Sequence, residues 1–167
     1  IRDRIIAAGN IFTGTFERDG MGGILTLGRN FECRPNKLKG YYKYTSAKVS
    51  VSKGHLNEGE DDLCSLYIAL TDEQITVNTN KGIYFDPNSS AVIAYGSISD
   101  EESKGADSFK EFTVDLEYKD LKRIPKYIIV VASSSKYGDY MEGGKGSTMW
   151  LDDLELVYPK SMEEVRK

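Results

Sequence analysis

Residues 109–118 read Phe-Lys-Glu-Phe-Thr-Val-Asp-Leu-Glu-Tyr, and from Phe112 to Tyr118 apolar and polar side chains alternate without a break. Successive side chains of an extended strand point to opposite faces, so Phe112, Val114 and Leu116 share one face with Tyr118. The acidic and hydroxyl side chains between them share the other face. The pattern predicts a strand that packs one face into a core and exposes the other to solvent.

The segments on either side extend this pattern over the whole chain. Residues 127–132, Tyr-Ile-Ile-Val-Val-Ala, form an apolar run of strand length, which predicts a strand buried on both faces. Further strands are predicted at residues 12–17, 23–27, 39–47, 63–70, 91–95 and 147–158. No segment has sustained helical periodicity. We therefore predict an all-β fold, a two-sheet antiparallel β-sandwich of the jelly-roll type.

The length of 167 residues suits one domain. We expect residues 1–159 to form a single β-sandwich domain and residues 160–167 to form a C-terminal tail that frays. Because the sequence starts at Ile1 rather than at methionine, we expect it to be an excised or processed piece of a longer protein. A signal peptide can precede such a piece.

Composition argues against several classes of protein. A formal net charge of −4 argues against a nucleic-acid partner, since phosphate neutralisation needs a basic surface. No apolar run approaches the roughly 18 residues of a membrane-spanning helix. The one histidine, His55, excludes a multi-histidine metal site. Cys33 and Cys64 match no zinc or redox spacing, and both a disulfide between them and two separate thiols are consistent with the sequence.

Several stretches together resemble a known family. Near the start is Ala-Gly-Asn-Ile-Phe-Thr-Gly at residues 8–14, and Gly-Tyr-Tyr-Lys-Tyr follows at residues 40–44. Ser-Ser-Ser-Lys-Tyr-Gly-Asp-Tyr stands at residues 133–140, ahead of Gly-Gly-Lys-Gly-Ser at 143–147 and Leu-Asp-Asp-Leu-Glu-Leu at 151–156. From about residue 9 to residue 158 the chain resembles the Putative carbohydrate metabolism domain of Bacteroidetes cell-envelope proteins.

The resemblance implies a jelly-roll sandwich similar to carbohydrate-binding modules. It also implies an exported protein of the cell envelope, in the periplasm, on the outer-membrane surface or outside the cell, with a separate domain ahead of this one. The implied partner is a carbohydrate, either an oligosaccharide or a polysaccharide. The family supplies no catalytic residues to assign to positions of this sequence, and its name does not identify the sugar.

The aromatic strand at residues 39–47 supplies the first candidate binding residues. Alternation sends Tyr42 and Tyr44 to one face, and Tyr41 and Lys43 to the other. Flat aromatic rings beside polar groups suit sugars, which present apolar C–H faces and a rim of hydroxyls. One tyrosine pair can instead be sandwich core, and we assign that role to Tyr42 and Tyr44. Tyr41 and Lys43 are then the predicted ligand-binding pair.

The loop at residues 133–146 supplies the second group of candidates. It is rich in serine and glycine, and loops at one end of a rigid sandwich commonly carry binding groups. The alternative is an architectural loop, whose serines hydrogen-bond its own backbone and whose glycines adopt positive φ. The predicted ligand-binding residues of this loop are Ser135, Lys136, Tyr137, Asp139 and Tyr140.

Strict alternation along residues 147–158 places Asp152 among apolar side chains, where an unpaired carboxylate is costly. A bulge at Asp152 and Asp153, hydrogen bonds from a neighbouring loop to Asp152, and a structural calcium ion would each resolve this conflict. The sequence has no calcium loop of the Asp-x-Asp-x-Asp type. We therefore assign no metal ligands and expect no cofactor, with structural calcium as the alternative.

These observations favour a non-catalytic module that binds carbohydrate or assists glycan processing at the cell envelope. The first alternative is a structural or adhesive spacer that orients a partner domain. The second is a glycoside hydrolase, which needs two carboxylates facing each other across a cleft. Asp115, Glu117, Asp139 and Glu155 are available, although the first two fall on the solvent face of their predicted strand. The sequence thus favours binding over catalysis.

Overall fold

The computed structural model describes residues 6–20 and 22–161. Within these residues the strands are, in chain order, β1 (Asn10–Phe12), β2 (Gly14–Asp19), β3 (Gly22–Leu27), β4 (Arg29–Asn30), β5 (Lys37–Thr45), β6 (Val49–Val51), β7 (Ser65–Thr71), β8 (Ile75–Asn78), β9 (Val92–Ser97), β10 (Ala106–Asp115), β11 (Glu117–Tyr118), β12 (Tyr127–Ser133), β13 (Gly143–Gly144) and β14 (Thr148–Val157). A one-turn helix, α1, spans Asp100–Ser103, and 3₁₀ turns span Thr79–Lys81 and Gly138–Tyr140.

The strands form three layers. The central sheet has the order β1-β12-β7-β9-β11, with β4 also pairing with β12. A sheet of order β10-β5-β14 packs on one face of the central sheet, and a sheet of order β2-β3-β8 packs on the other. A short pair, β13-β6, stands apart from these layers. The pairings are antiparallel, so the prediction of an all-β antiparallel sandwich is confirmed.

The larger core lies between the central sheet and β10-β5-β14. Leu66, Ile68 and Leu70 of β7 face Phe112 and Val114 of β10 there, and all five side chains are buried. This is the face predicted from the alternation at residues 109–118. Burying each such side chain contributes about 1.5–3 kcal/mol of hydrophobic free energy.

The smaller core lies on the other face of the central sheet. Leu27, Val77 and Ala69 pack there with Ile129, while the neighbouring Ile128 packs into the larger core. Strand β12 therefore contributes to both cores, which confirms the prediction that residues 127–132 are buried on both faces. Because the sheet β2-β3-β8 covers this second face, the sandwich has a third layer that the two-sheet prediction lacked.

The strand β5 confirms the assignment of Tyr42 and Tyr44 to the core. Both are fully buried, and their hydroxyls donate to backbone carbonyl oxygens, Tyr42 to Glu102 at 3.0 Å and Tyr44 to Ser134 at 2.9 Å. Each buried phenol thus keeps a hydrogen-bond partner. Tyr41 points to the outer face of the sheet and is 41% exposed.

The segment predicted as one strand at residues 12–17 is divided between two sheets. The Thr13 hydroxyl donates to the Ile128 carbonyl oxygen at 3.0 Å and accepts from the Val130 amide at 2.9 Å, so it ends the pairing of β1 with β12. The chain then crosses to the outer sheet at Gly14, where a Cβ atom would lie 2.4 Å from the Thr26 carbonyl oxygen. Close backbone approach at Gly14 therefore places β1 and β2 in different layers.

The strand β14 resolves the conflict at Asp152 with a bulge. Its register against β5 shifts between Asp152 and Glu155, and Asp153 has a φ of 49°. Asp152 lies at the surface and accepts a hydrogen bond from the Asp153 amide at 2.9 Å. The first of the three alternatives for Asp152 is confirmed, and calcium binding there stays a prediction.

Some predictions on chain organisation lie outside what the structure tests. Residues 162–167, most of the predicted tail, fall outside the described residues, and the domain boundaries stay a prediction. The jelly-roll connectivity also stays a prediction. In the part of the chain that is described, no helix has the length and apolar character that crossing a bilayer requires.

We expect one of the two cysteines to react in the native protein. Cys33 is exposed and Cys64 is fully buried, and both are free thiols. Burial raises the pKa of the Cys64 thiol to about 12, so almost no reactive thiolate forms at neutral pH. Titration with a chromogenic disulfide reagent should count one thiol in the native protein and two in denaturant. Cys33→Ser should remove the native signal, and a remaining native signal in that variant would contradict the burial of Cys64.

Candidate functional site

A groove lies beside the second face of the central sheet, where the outer sheet β2-β3-β8 leaves part of β7 and β9 uncovered. Its volume is about 250 Å³. Five aromatic side chains line it: Tyr67 on β7, Tyr95 on β9, Tyr84 and Phe85 in the segment before β9, and Tyr140 in the loop between β12 and β13. We call this feature the aromatic groove.

The aromatic rings of the groove pack against one another in two sets. Tyr67 stacks on Phe85 with ring centroids 4.9 Å apart, and Tyr95 lies about 6 Å from both rings. Tyr84 stacks on Tyr140 at 4.2 Å. Because ring packing and the strands hold these side chains, the groove presents preformed aromatic surface.

Polar groups border the same groove. Lys136 donates to the Asp100 carboxylate at 3.0 Å and thereby links the loop to α1. This contact lowers the pKa of the Asp100 carboxyl. Desolvation raises the pKa of the Asp139 carboxyl, which accepts no hydrogen bond from any described residue. The groove therefore offers an ion pair and an unpartnered carboxyl beside its aromatic rings.

The phenol of Tyr67 is the second unpartnered polar group of the groove. Burial, with a smaller contribution from the charge of Asp139, raises its pKa. Its hydroxyl has no hydrogen-bond partner among residues 6–20 and 22–161. The Asp139 carboxyl is exposed and Tyr67 is half-buried, so both groups are accessible to a ligand in the groove.

The loop that carries Lys136, Asp139 and Tyr140 is fixed by Asp62, which is 1% exposed. One oxygen of Asp62 accepts from the Ser135 hydroxyl at 2.7 Å, from the Gly144 amide at 2.8 Å and from the Ser147 hydroxyl at 2.8 Å. Its other oxygen accepts from the Leu63 amide at 2.8 Å. Asp62 thus ties both ends of the loop to the segment that precedes β7.

Glu142, a fully buried side chain, fixes the same loop to residues 53–56. Its carboxylate accepts from the amides of Lys53 at 2.8 Å, His55 at 3.2 Å and Leu56 at 2.5 Å, and lies 3.1 Å from Nδ1 of His55. Burial acts to raise the pKa of Glu142, but these donors together hold it below its ordinary value. Glu142 is therefore a structural anion.

The His55 ring lies between two tyrosines of the loop. Its centroid is 4.4 Å from that of Tyr137, in a stacked arrangement, and 4.3 Å from that of Tyr140. Since Tyr140 also stacks on Tyr84, the anchored segment at residues 53–56 supports the wall of the groove. The loop combines an architectural role for Ser135 with a position at the groove for Lys136, Asp139 and Tyr140.

The structure separates the predicted binding residues into two places. Tyr41 and Lys43 lie on the outer face of β10-β5-β14, where the Lys43 ammonium is 4.9 Å from the Trp150 ring. Lys136, Asp139 and Tyr140 lie at the aromatic groove, on the other side of the central sheet. No single small ligand contacts both places, because two layers of sheet stand between them.

Four of the groove's aromatic residues were not predicted: Tyr67, Tyr84, Phe85 and Tyr95. A signal existed for Tyr67, because alternation along residues 63–70 places it opposite Leu66 and Ile68 on an otherwise apolar strand. No comparable signal exists for Tyr84 and Phe85, which lie in an irregular segment. Among the described residues, no group of three or more histidine, cysteine or acidic side chains is placed to hold a metal ion.

Comparisons with known proteins agree with the fold. The model of the family described as Putative carbohydrate metabolism domain matches residues 1–157. A structure described as a "putative glycoside hydrolase" from Bacteroides thetaiotaomicron VPI-5482 is similar with a TM-score of 0.70 and 24% identity, over 93% of this chain and 48% of that one. At this identity the similarity shows the fold alone.

A second structure, described as a "putative glycoside hydrolase" from Bacteroides vulgatus ATCC 8482, is similar with a TM-score of 0.70 and 25% identity. The match covers 90% of this chain and 64% of that one. The chain thus spans about half the length of the first structure and less than two thirds of the second. A search of curated proteins finds no match.

Proposed function

We propose that this chain, which belongs to the Putative carbohydrate metabolism domain family, is a non-catalytic module that binds carbohydrate in the aromatic groove. The observation that carries the proposal is the combination of stacked aromatic rings with unpartnered polar groups in one concave site. Such sites are mostly apolar with a few placed polar groups.

The chemistry of the groove matches that of a sugar. A pyranose ring has apolar C–H faces that pack on an aromatic ring, and a rim of hydroxyls that need hydrogen-bond partners. The five aromatic side chains that line the groove offer apolar ring surface, and the Asp139 carboxyl and Tyr67 hydroxyl offer hydrogen-bonding groups. The groove is open at the surface, which suits a segment of an oligosaccharide or polysaccharide. Binding in this form requires no cofactor.

The location of the protein is part of the same proposal. A module that binds glycans by surface aromatics acts where glycans occur, and we place it at the cell envelope, in the periplasm or at the cell surface. The two similar structures come from Bacteroides and are longer than this chain, which supports a module that works beside further domains.

We expect Tyr84→Ala and Tyr140→Ala each to weaken glycan binding roughly tenfold, since each removes about 1 kcal/mol or more of ring packing. A glycan array, run with calcium and with chelator, identifies the glycan, and titration then measures the affinity of each variant. Trp150→Ala is the matched control, because it removes an aromatic side chain that is 41% exposed on the other outer face.

Each outcome of this experiment assigns the site. Loss with the groove variants and none with Trp150→Ala supports the aromatic groove. Loss with Trp150→Ala alone would move the site to the face that carries Tyr41 and Lys43. A blank array with folded protein would contradict the proposal and favour the structural or adhesive spacer.

A second candidate function, glycoside hydrolysis, is favoured by one observation. Asp100 and Asp139 line the same groove, and their pKa values are shifted in opposite directions, Asp100 downward by Lys136 and Asp139 upward by desolvation. Two carboxyl groups at one concave site are the minimum that a glycoside hydrolase requires. Incubating the protein with any glycan that it binds, and analysing the products, separates the two functions, because release of reducing ends requires catalysis.

A further inference from the structure

The aromatic groove continues into a small cavity below it. The cavity has a volume of about 70 Å³ and shares Ser65, Tyr67, Lys136 and Asp139 with the groove. It lies between the central sheet and the outer sheet β2-β3-β8, at the edge of the smaller core. A substituent of a ligand in the groove can therefore enter the space between the two sheets.

The wall of this cavity has an apolar part and a polar part. Leu25, Val77 and Val131 contribute apolar surface from three different strands. Ser65 and Asp139 contribute polar groups at the boundary with the groove. Neither the Asp139 carboxyl nor the Ser65 hydroxyl has a hydrogen-bond partner among the described residues. The group that fits this space has an apolar end and, nearer the groove, atoms that form hydrogen bonds.

The volume limits what can enter. On the same scale one water molecule needs about 10–15 Å³, so the cavity accepts a pendant group of a few heavy atoms rather than a whole hexose unit. A lone hydroxyl would leave the apolar wall without contacts. A charged carboxylate would meet the carboxylate of Asp139, and the nearby Lys136 ammonium is already paired with Asp100. An ammonium group would pair with Asp139 but would lose hydration against the valines. An acetamido group has a methyl for the apolar wall and an N–H to donate to the carboxyl.

We propose that the aromatic groove selects glycans that contain a 2-acetamido-2-deoxyhexose, with the acetamido group in the cavity between Ser65, Asp139 and Val131. This inference rests on the proposed carbohydrate binding and adds the class of sugar. The ring of the amino sugar stacks in the groove, and the pendant group confers selectivity. Filling the cavity should therefore remove the selectivity before it removes the binding of other sugars.

The test uses sets of oligosaccharides that are identical except at C2, where they carry acetamido, hydroxyl or amino groups. One set is built on glucose and one on galactose. Affinities are measured for the whole chain and for two variants at the cavity mouth. Ser65→Leu fills the cavity, and Ser65→Ala removes the same hydroxyl without filling it. Thermal unfolding of both variants shows that they are folded.

We expect the acetamido member of at least one set to bind roughly tenfold tighter than its hydroxyl and amino counterparts. Ser65→Leu should abolish this preference and Ser65→Ala should keep it. Glycan binding without an acetamido preference, or with one that Ser65→Leu leaves unchanged, would overturn this inference and leave carbohydrate binding standing. Tighter binding of the amino member would make Asp139 a cation site and would also overturn it. No binding to any glycan would overturn both proposals.

Discussion

Asp62→Ala is expected to lower the free energy of unfolding by about 3 kcal/mol. The Asp62 carboxylate is buried and accepts four hydrogen bonds, from two serine hydroxyls and two backbone amides. Alanine leaves these donors inside the protein without an acceptor, which costs more than the loss of one neutral hydrogen bond. Denaturant unfolding measures the effect as a lower midpoint at an unchanged slope.

The neighbouring residue provides the control. Asp61 carries the same carboxylate but is exposed, and it forms a surface ion pair with Lys48 at 2.8 Å. Exposed pairs of this kind contribute about 0–1 kcal/mol, so Asp61→Ala should leave the midpoint nearly unchanged. Equal losses in the two variants would mean that the loss of a charge, rather than of the buried hydrogen bonds, causes the effect.

The Asp62 variant also tests how the site is built. Asp62 binds Ser135 at one end of the loop and Ser147 at the other, and the groove residues Lys136 and Tyr140 lie between them. If the loop is held in place mainly by Asp62, glycan binding should fall even under conditions in which Asp62→Ala remains folded. In Asp62→Ala the loop can become disordered while the sheets stay folded, because the cooperatively folded core lies in the sheets.

Periodicity predicted those strand segments whose environment is regular. Strand β10 alternates between exposed and buried side chains from Glu111 to Asp115, and β12 packs into both cores, so each has a simple pattern there. Strand β8 has four residues and α1 has one turn, and neither is long enough to show a period. The α1 helix begins instead with a capping box between Ser99 and Glu102, which is a local signal.

The third layer was not predicted because the side chains of its strands are partly exposed and partly buried. Phe16 of β2 is 59% exposed, and in β3 just one of the two alternating faces approaches the central sheet. The switch of sheets at Thr13 depends on side-chain hydrogen bonds to β12, more than a hundred residues later in the chain. Contacts at such separations have no counterpart in a local pattern.

The candidate site was predicted in part for the same reason. Residues 136–140 stand out by composition, and three of them reach the groove. Tyr67 and Tyr95 reach it because β7 and β9 are neighbours, with Ala69 opposite Tyr95. The assembly of a groove from four separate segments follows from strand order, which one sequence does not reveal. Tyr41 and Lys43 were predicted to bind a ligand because side chains alternate between the two faces of β5. Alternation determines which side chains are exposed, but it does not determine which other residues lie beside them.

The buried carboxylates were the least predictable feature. Asp62 and Glu142 lie in polar stretches where a solvated charge is the ordinary expectation. Their partners are mostly backbone amides and serine hydroxyls, which carry no charge that a sequence pattern could match. The glycines at 143 and 144 belong to the same arrangement, since a Cβ at Gly143 would lie 2.5 Å from the Ser135 hydroxyl oxygen.

Glu142→Gln is expected to lower the free energy of unfolding by about 2–3 kcal/mol at neutral pH. All the described contacts of the Glu142 carboxylate are with donor groups, namely the amides of Lys53, His55 and Leu56 and the His55 ring. The glutamine amide nitrogen would face a donor and leave it unsatisfied. Asp139→Asn in the same loop is the control, because Asp139 has no such donors and its charge is desolvated, so this variant should be equally stable or more stable.

For both variants we expect the difference in unfolding free energy from wild type to depend on pH, and the two differences have opposite signs. The pKa of Glu142 is lowered in the folded protein, so its contribution is fully present above the ordinary value of 4.5 and is lost as the pH falls through the folded pKa. The stability difference between wild type and Glu142→Gln should therefore shrink below about pH 4.5. The pKa of Asp139 is raised, so wild type should approach Asp139→Asn in stability as protonation removes the desolvated charge. A difference for Glu142→Gln that stays constant to pH 3 would show that its charge does not anchor the loop, and that shape alone holds Tyr140 at the groove.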